Sequence, residues 1–133
     1  MAPNEKGMIM MACAEKFGAG AVRNILRHNR REIEHSSNHD IDPKRLERDY
    51  ILSPDRGMTE YDYFLQRKSE LYCYNRNDVK VMVGWIVTAP QDLDPERYDN
   101  FFYATYNFLA NRYGEENVVQ AIVHDDEGGQ PHL

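Results

Sequence analysis

The sequence predicts an α+β fold, an antiparallel sheet with helices packed on it. Three observations carry this. Apolar stretches of strand length recur near residues 8, 79 and 117, segments with helical spacing separate them, and capping and turn residues mark the boundaries. At 133 residues the chain is one domain with room for a core, and its 41% apolar content sets it apart from disordered chains. There are no internal repeats or low-complexity tracts. No apolar run approaches the roughly 18–20 residues of a membrane span. The stretch 8–14 is too short for a secretory leader and follows the acidic Glu5. Cys13 and Cys73 lie in apolar segments without metal-ligand spacing, and are expected as reduced core thiols of a cytosolic protein.

Residues 8–14 alternate weakly and read as a first strand, followed by a loop at 16–20. From 21 to about 36, Val22, Leu26, Asn29 and Ile33 have helical spacing, so an amphipathic helix is predicted. Another face of it carries Asn24, His28, Arg31 and His35, which is either a functional row or a solvated side. A polar loop at 36–42 ends the helix, and Asp42-Pro43 opens a short turn. Residues 50–52 read as a short strand before the turn at 53–57. Thr59 caps a second helix with Tyr61, Phe64, Leu65, Leu71 and Tyr72 as its apolar face.

Residues 79–88 form the clearest strand: Val81, Val83, Trp85 and Val87 on one face, with a second face apolar enough to be covered by helices. Asp94-Pro95 starts a third helix, Tyr98, Phe101, Phe102, Thr105, Phe108 and Leu109 form its buried stripe, and Gly114 ends it. Residues 117–123 read as a buried strand.

The net charge of −6 discourages nucleic-acid binding on its face, but charge is unevenly placed. Residues 23–31 hold Arg23, Arg27, Arg30 and Arg31 and no acid, and Lys44, Arg45 and Arg48 add a second basic patch. A local basic surface can hold a phosphate backbone although the total is negative. The last ten residues form a different cluster, with His124, Asp125, Asp126, Glu127 and His132 around Gly128-Gly129 and Pro131. The last strand delivers His124, and the glycine turn is expected to bring His132 back beside it. Imidazoles and carboxylates at the end of a rigid strand suit a divalent cation; an acidic solvated tail is the alternative.

Three blocks occur in order: His28-Asn29-Arg30-Arg31 with residues 37–42 and Asp49-Tyr50; Trp85-Ile86-Val87-Thr88; and residues 112–117 leading to His124, Glu127, Pro131 and His132. Together they resemble the plasmid mobilisation relaxases of the MobV (Pre) type, a branch of the HUH endonucleases, from about residue 8 onward. The resemblance implies an HUH relaxase-like core of the palm or ferredoxin-like kind. It implies metal-dependent nicking of one strand at a plasmid or mobile-element origin of transfer, leaving the protein covalently attached to the 5′-phosphate. It places the nucleophile at His28, with Arg31 on the phosphate and Tyr50 as the second candidate nucleophile. His124, Glu127 and His132 become ligands for Mn²⁺ or Mg²⁺, Glu127 also standing close to the chemistry, and Asp126 a partner that orients a ligand. Arg23, Arg27, Asn29, Arg30, Arg31, Lys44 and Arg45 become contacts to single-stranded or hairpin DNA, and His35 and His39 face DNA or are incidental. A homodimer is one assembly open to such a chain.

Two departures stand out. The family motif continues as His-x-His after the proline, whereas this sequence stops at Leu133, one residue before the third histidine. One additional residue also separates Glu127 from Pro131. The expectation is therefore a single catalytic domain spanning 1–133, the N-terminal part of a longer protein, with weakened metal binding and a terminal strand short of pairing partners. A non-catalytic DNA-binding or regulatory fragment is the alternative.

Overall fold

The computed structural model describes residues 12–31, 49–71, 76, 78–125 and 131–133. Two antiparallel ladders form its frame. Strand β1 (Ala12–Gly18) pairs with β3 (Lys80–Val87), from Ala12 opposite Val87 to Gly18 opposite Lys80, with a shift in register at Phe17/Gly18. Strand β2 (Tyr50–Ile51) pairs with β4 (Ile122–Val123), Tyr50 opposite Val123. Residues 131–133 join the ladders, because His132 bridges Thr88 on one side and His124 on the other. Val87 and Leu133 exchange backbone hydrogen bonds of 3.0 and 2.9 Å, and His124 and His132 exchange bonds of 2.7 and 3.0 Å. The strand that was expected to lack partners thus has one along each edge.

Side chains alternate across this frame. Ala89, Leu133, Val123 and Tyr50 fall on the back face, against helix α3 (Tyr98–Tyr113), and Phe102 fills the core there with Ala89 and Val123. On the front, helices α1 (Ala19–Asn29) and α2 (Glu60–Glu70) build a second core from Val22, Leu26 and Phe64, packed with Val81, Met82 and Val119. The front face also carries Thr88, His132 and His124.

The helix ends follow their local chemistry. The Thr59 hydroxyl accepts from the Asp62 amide at 3.1 Å and opens α2. Asp94 accepts from the Glu96 amide at 3.0 Å, Pro95 begins a 3₁₀ turn (Pro95–Arg97), and this runs into α3. Gly114, with φ 92°, stops α3, and a side chain there would run into Glu116. Among the described residues no helix is long and apolar enough to cross a membrane.

Several expectations are corrected. Strand β1 continues through residues 16–18, which were read as loop, because its ladder with β3 extends to Gly18. Helix α1 ends at Asn29, not near 36, so His28 and Arg31 are not stacked on one helical face. The last strand is only Ile122–Val123, preceded by a 3₁₀ turn (Glu115–Asn117). Cys13 is an exposed thiol. On α3 the buried positions are Phe102, Tyr106 and Ala110, while Phe108 is 63% exposed. On α2, Tyr63 and Phe64 are buried and Leu65 and Leu71 are exposed. Apolar periodicity marked these helices but not their rotation, since tyrosines buried through a hydroxyl bond compete for the inward position. Tyr63 donates to the Glu116 carbonyl, and Tyr106 donates to Glu115 Oε2 at 2.8 Å.

Two outcomes are expected. Phe102→Ala should cost about 3–5 kcal/mol in chemical denaturation, since it empties a fully enclosed position. Burial and the bond to Glu115 push the Tyr106 phenol from 10.0 up to about 12. The folded chain therefore binds more protons than the unfolded chain in that window, so the contribution of Tyr106 is full below pH 10 and lost as pH rises toward 12. Tyr106→Phe should flatten the fall in melting temperature across that interval.

Candidate active site

The site begins with a row across the front of the sheet. Thr88, His132 and His124 are successive cross-strand partners, and continuing the β2–β4 register by one residue puts Asp49 next to His124. The His124 and His132 rings stand 5.2 Å apart, centroid to centroid, inclined at 64°. His124 is 6% exposed and His132 half-buried. The return of His132 beside His124 is the arrangement expected of the terminal cluster.

Helix α1 is docked onto this row by its carboxyl end. Gln120 lies two and four residues before Ile122 and His124, on the same face of the chain. Its amide donates to the Leu26 carbonyl at 3.1 Å and to Glu60 at 3.3 Å, and its oxygen accepts from the Asn29 side chain at 3.0 Å. His124 Nε2 lies 2.8 Å from the Asn29 carbonyl. A carbonyl only accepts, so Nε2 carries a proton. Side chains from the run into β4 thus reach two carbonyls at the helix end: that of Leu26, which also accepts from the Arg30 amide at 3.2 Å, and that of Asn29. His28 occupies the last turn of α1, one residue before the carbonyl that holds His124, and is half-buried.

Arg31 lies beyond the helix end with φ 59°, a left-handed conformation that costs a non-glycine residue about 1–2 kcal/mol. Its amide donates to the His28 carbonyl at 3.0 Å, and Nη1 reaches the same carbonyl at 3.3 Å. Its Nε faces Asp49 Oδ2 at 4.0 Å, with side chains only 10% and 13% exposed. Asp49 Oδ1 in turn accepts from the Asp125 amide at 2.8 Å.

The other sequence candidates divide. Tyr50 lies on the back face and donates to Asp99 Oδ1 at 2.7 Å; burial first, then that bond, raises its pKa above the ordinary tyrosine value. Arg30 forks onto Glu60, at 3.0 and 2.9 Å from Nε to the two oxygens. The Asn29 amide is engaged by Gln120. Arg23 and Arg27 are exposed on α1, and Arg23 lies over the Tyr61 ring at 5.6 Å. Glu127, Lys44, Arg45, Asp126, His35 and His39 lie outside the described residues.

Asp49 and Gln120 had no assigned role in the sequence reading. Gln120 had a signal in its period-two spacing from Ile122 and His124, and Asp49 stood beside a tyrosine within the first motif block.

The donor set suits a divalent cation. Metal-binding imidazoles commonly give one ring N–H to a carbonyl, and His124 Nε2 makes such a bond to Asn29. Among the described residues no three His, Cys, Asp or Glu side chains gather closely enough to hold a metal. Two imidazoles, those of His124 and His132, are what the described residues bring together at this point.

Comparison with known proteins accords with this geometry. Residues 7–133 match the Mob_Pre family, described as plasmid recombination enzyme. A plasmid recombination enzyme of Streptococcus agalactiae is 34% identical over 133 residues, covering 93% of this chain and 26% of that protein. A type 2 enzyme of Staphylococcus aureus is 30% identical over 129 residues, covering 90% and 30%. This chain therefore spans less than a third of the length of either. The Mn-bound MobM relaxase domain in complex with plasmid pMV158 oriT DNA superposes with a TM-score of 0.76 at 34% identity, over 91% of this chain and 65% of that one. With the family matched over nearly all its residues, the chain belongs to Mob_Pre, the plasmid recombination enzymes.

Proposed function

We propose that this chain carries the nicking core of a plasmid relaxase, acting on one strand of DNA at the origin of transfer of a plasmid or mobile element. The observation that carries the reading is the docking of α1: the carbonyl next to His28 is bonded to His124, whose ring stands beside that of His132. The family motif assigns the nucleophile to His28 in the last turn of α1, the phosphate-binding arginine to Arg31 just beyond it and the metal ligands to His124 and His132, and the docking of that helix end against His124 supports the assignment. The MobM relaxase domain bound to Mn and oriT DNA, at 34% identity, supports both the substrate class and the cofactor. The same reading puts the chain in the cytoplasm, with plasmid DNA.

A divalent ion held by His124 and His132, with Glu127, supplies Lewis-acid stabilisation to the non-bridging phosphate oxygens. In the reaction a neutral nitrogen of His28 attacks phosphorus. The N–P bond forms as the P–O3′ bond breaks, the electron pair leaves on the 3′ oxygen, which gains a proton, and the imidazolium formed releases one. The 5′-phosphate stays on His28 as a phosphoramidate, and the 3′ hydroxyl can reverse the step to rejoin the strand. Arg31 stands beyond the last turn with its guanidinium fixed by the His28 carbonyl and Asp49, which orients it for a phosphate oxygen. The Tyr50 phenol is held in its protonated form by burial and by Asp99, on the opposite face, which favours His28 as nucleophile.

The direct test is incubation of a plasmid or single-stranded origin with the chain and Mn²⁺ or Mg²⁺, followed by denaturing electrophoresis. A covalent adduct is expected, abolished by chelator, retained by Tyr50→Phe and reduced at least about 10⁴-fold by His28→Ala. An adduct that survives His28→Ala rejects the assigned nucleophile. Binding without any adduct supports the regulatory alternative. The exposed Arg23 and Arg27 are read as backbone contacts. Replacing both with alanine should weaken single-stranded DNA binding and lower the slope of log affinity against log salt by about 1.4.

A further inference from the structure

We propose that Asp49 is a positioning residue of this site, holding the Arg31 guanidinium and the chain leaving β4 in one mutual arrangement. For its consequence in catalysis the inference rests on the relaxase reading above. Asp49 is the residue next to His124 in the β2–β4 register. One of its oxygens accepts from the amide of Asp125, the residue after His124, and the other faces Arg31 Nε. The two oxygens therefore link the exit of β4 to the exit of α1.

The chemistry calls for a carboxylate. Arg31 is 90% buried as a side chain and always charged, and an uncompensated guanidinium at that depth is costly. Its Nη1 is held by the His28 carbonyl and its Nε faces Asp49, so the plane of the fork is fixed from two directions. The left-handed backbone at Arg31 brings the side chain back over the helix end. If Asp49 is changed, the fork loses one direction, and the backbone beside His124 loses its anchor.

Three variants separate the two links. Asp49→Asn keeps an oxygen for the Asp125 amide and removes the charge facing Arg31; Asp49→Ala removes both; Arg31→Ala removes the other partner. In ¹H–¹⁵N spectra of the intact chain, Asp49→Ala should speed hydrogen exchange of the Asp125 amide by on the order of tenfold. It should also shift and broaden the Arg31 Nε–H signal. Asp49→Asn, which serves as the readout if alanine unfolds the chain, should disturb the Arg31 signal and leave the Asp125 amide protected. Both signals unchanged in Asp49→Ala and Asp49→Asn would overturn the proposal. In strand cleavage, Asp49→Asn and Arg31→Ala should lower the rate without multiplying in the double variant, and effects that multiply would overturn the coupling. A wild-type chain that cleaves nothing sinks the relaxase reading alone, since the spectra decide Asp49 without DNA.

Discussion

Two backbone hydrogen bonds between His124 and His132 hold this architecture together. Without them the β1–β3 ladder and the β2–β4 ladder would be separate two-stranded ribbons, each marginal in water. With them, the ladders become one twisted surface with a core on each face. The same pairing sets the imidazoles, because directly opposed residues in an antiparallel sheet project to the same side. Stability of the sheet and assembly of the imidazole pair are therefore a single event. A segment of three described residues, 131–133, accomplishes it, bonded to residues 87–89 on one edge and to residue 124 on the other.

The second constraint is the seat of α1. Leu26 and Val22 bind it to the front core, but apolar contacts alone permit sliding along the sheet. Gln120 and His124 remove that freedom by taking specific carbonyls at the helix end. The Arg30–Glu60 pair ties the same end to α2. These polar contacts are satisfied in one register of helix against strand and in no neighbouring one, since a shift of one residue rotates the helix by about 100°. Positional specificity at the site thus comes from hydrogen bonds, while most of the stabilisation comes from the cores around Leu26 and Phe102.

Much of this was legible in the residues. The α+β class, the two capped helices, the strand over 80–87 and the return of His132 to His124 follow from spacing, Pro and Gly positions and alternation. What the residues did not reveal has common causes. The end of α1 at Asn29 is met by donors supplied from residues 120 and 124, more than ninety positions away, which no local window contains. The inward turn of Tyr63 and Tyr106 depends on partners at 116 and 115 for their hydroxyls. Arg30 reads as part of a basic run until Glu60 is brought against it, and Asp49 reads as an ordinary acid until the fold sets it between Arg31 and Asp125. Side chains whose roles are long-range and polar leave weak traces in sequence, whereas apolar period leaves strong ones.

The direction of α1 has an electrostatic consequence. Phosphates usually meet helices at their amino ends, where the amides point outward and the dipole is positive. Here the carboxyl end, with partial negative charge, faces the histidine row, and the Asn29 carbonyl lies directly against His124. That environment favours a cation and disfavours a bare phosphodiester. A phosphate can therefore be held only where positive charge offsets the helix end, and the local sequence supplies it: Arg27 in the last turn, Arg31 just beyond. Those cations are favourable at a helix carboxyl end without any ligand, so the basic run serves the fold and the proposed site together. The acidic whole and the basic helix end are then compatible: the net charge of −6 belongs to the full sequence, and positive charge is gathered at one helix end.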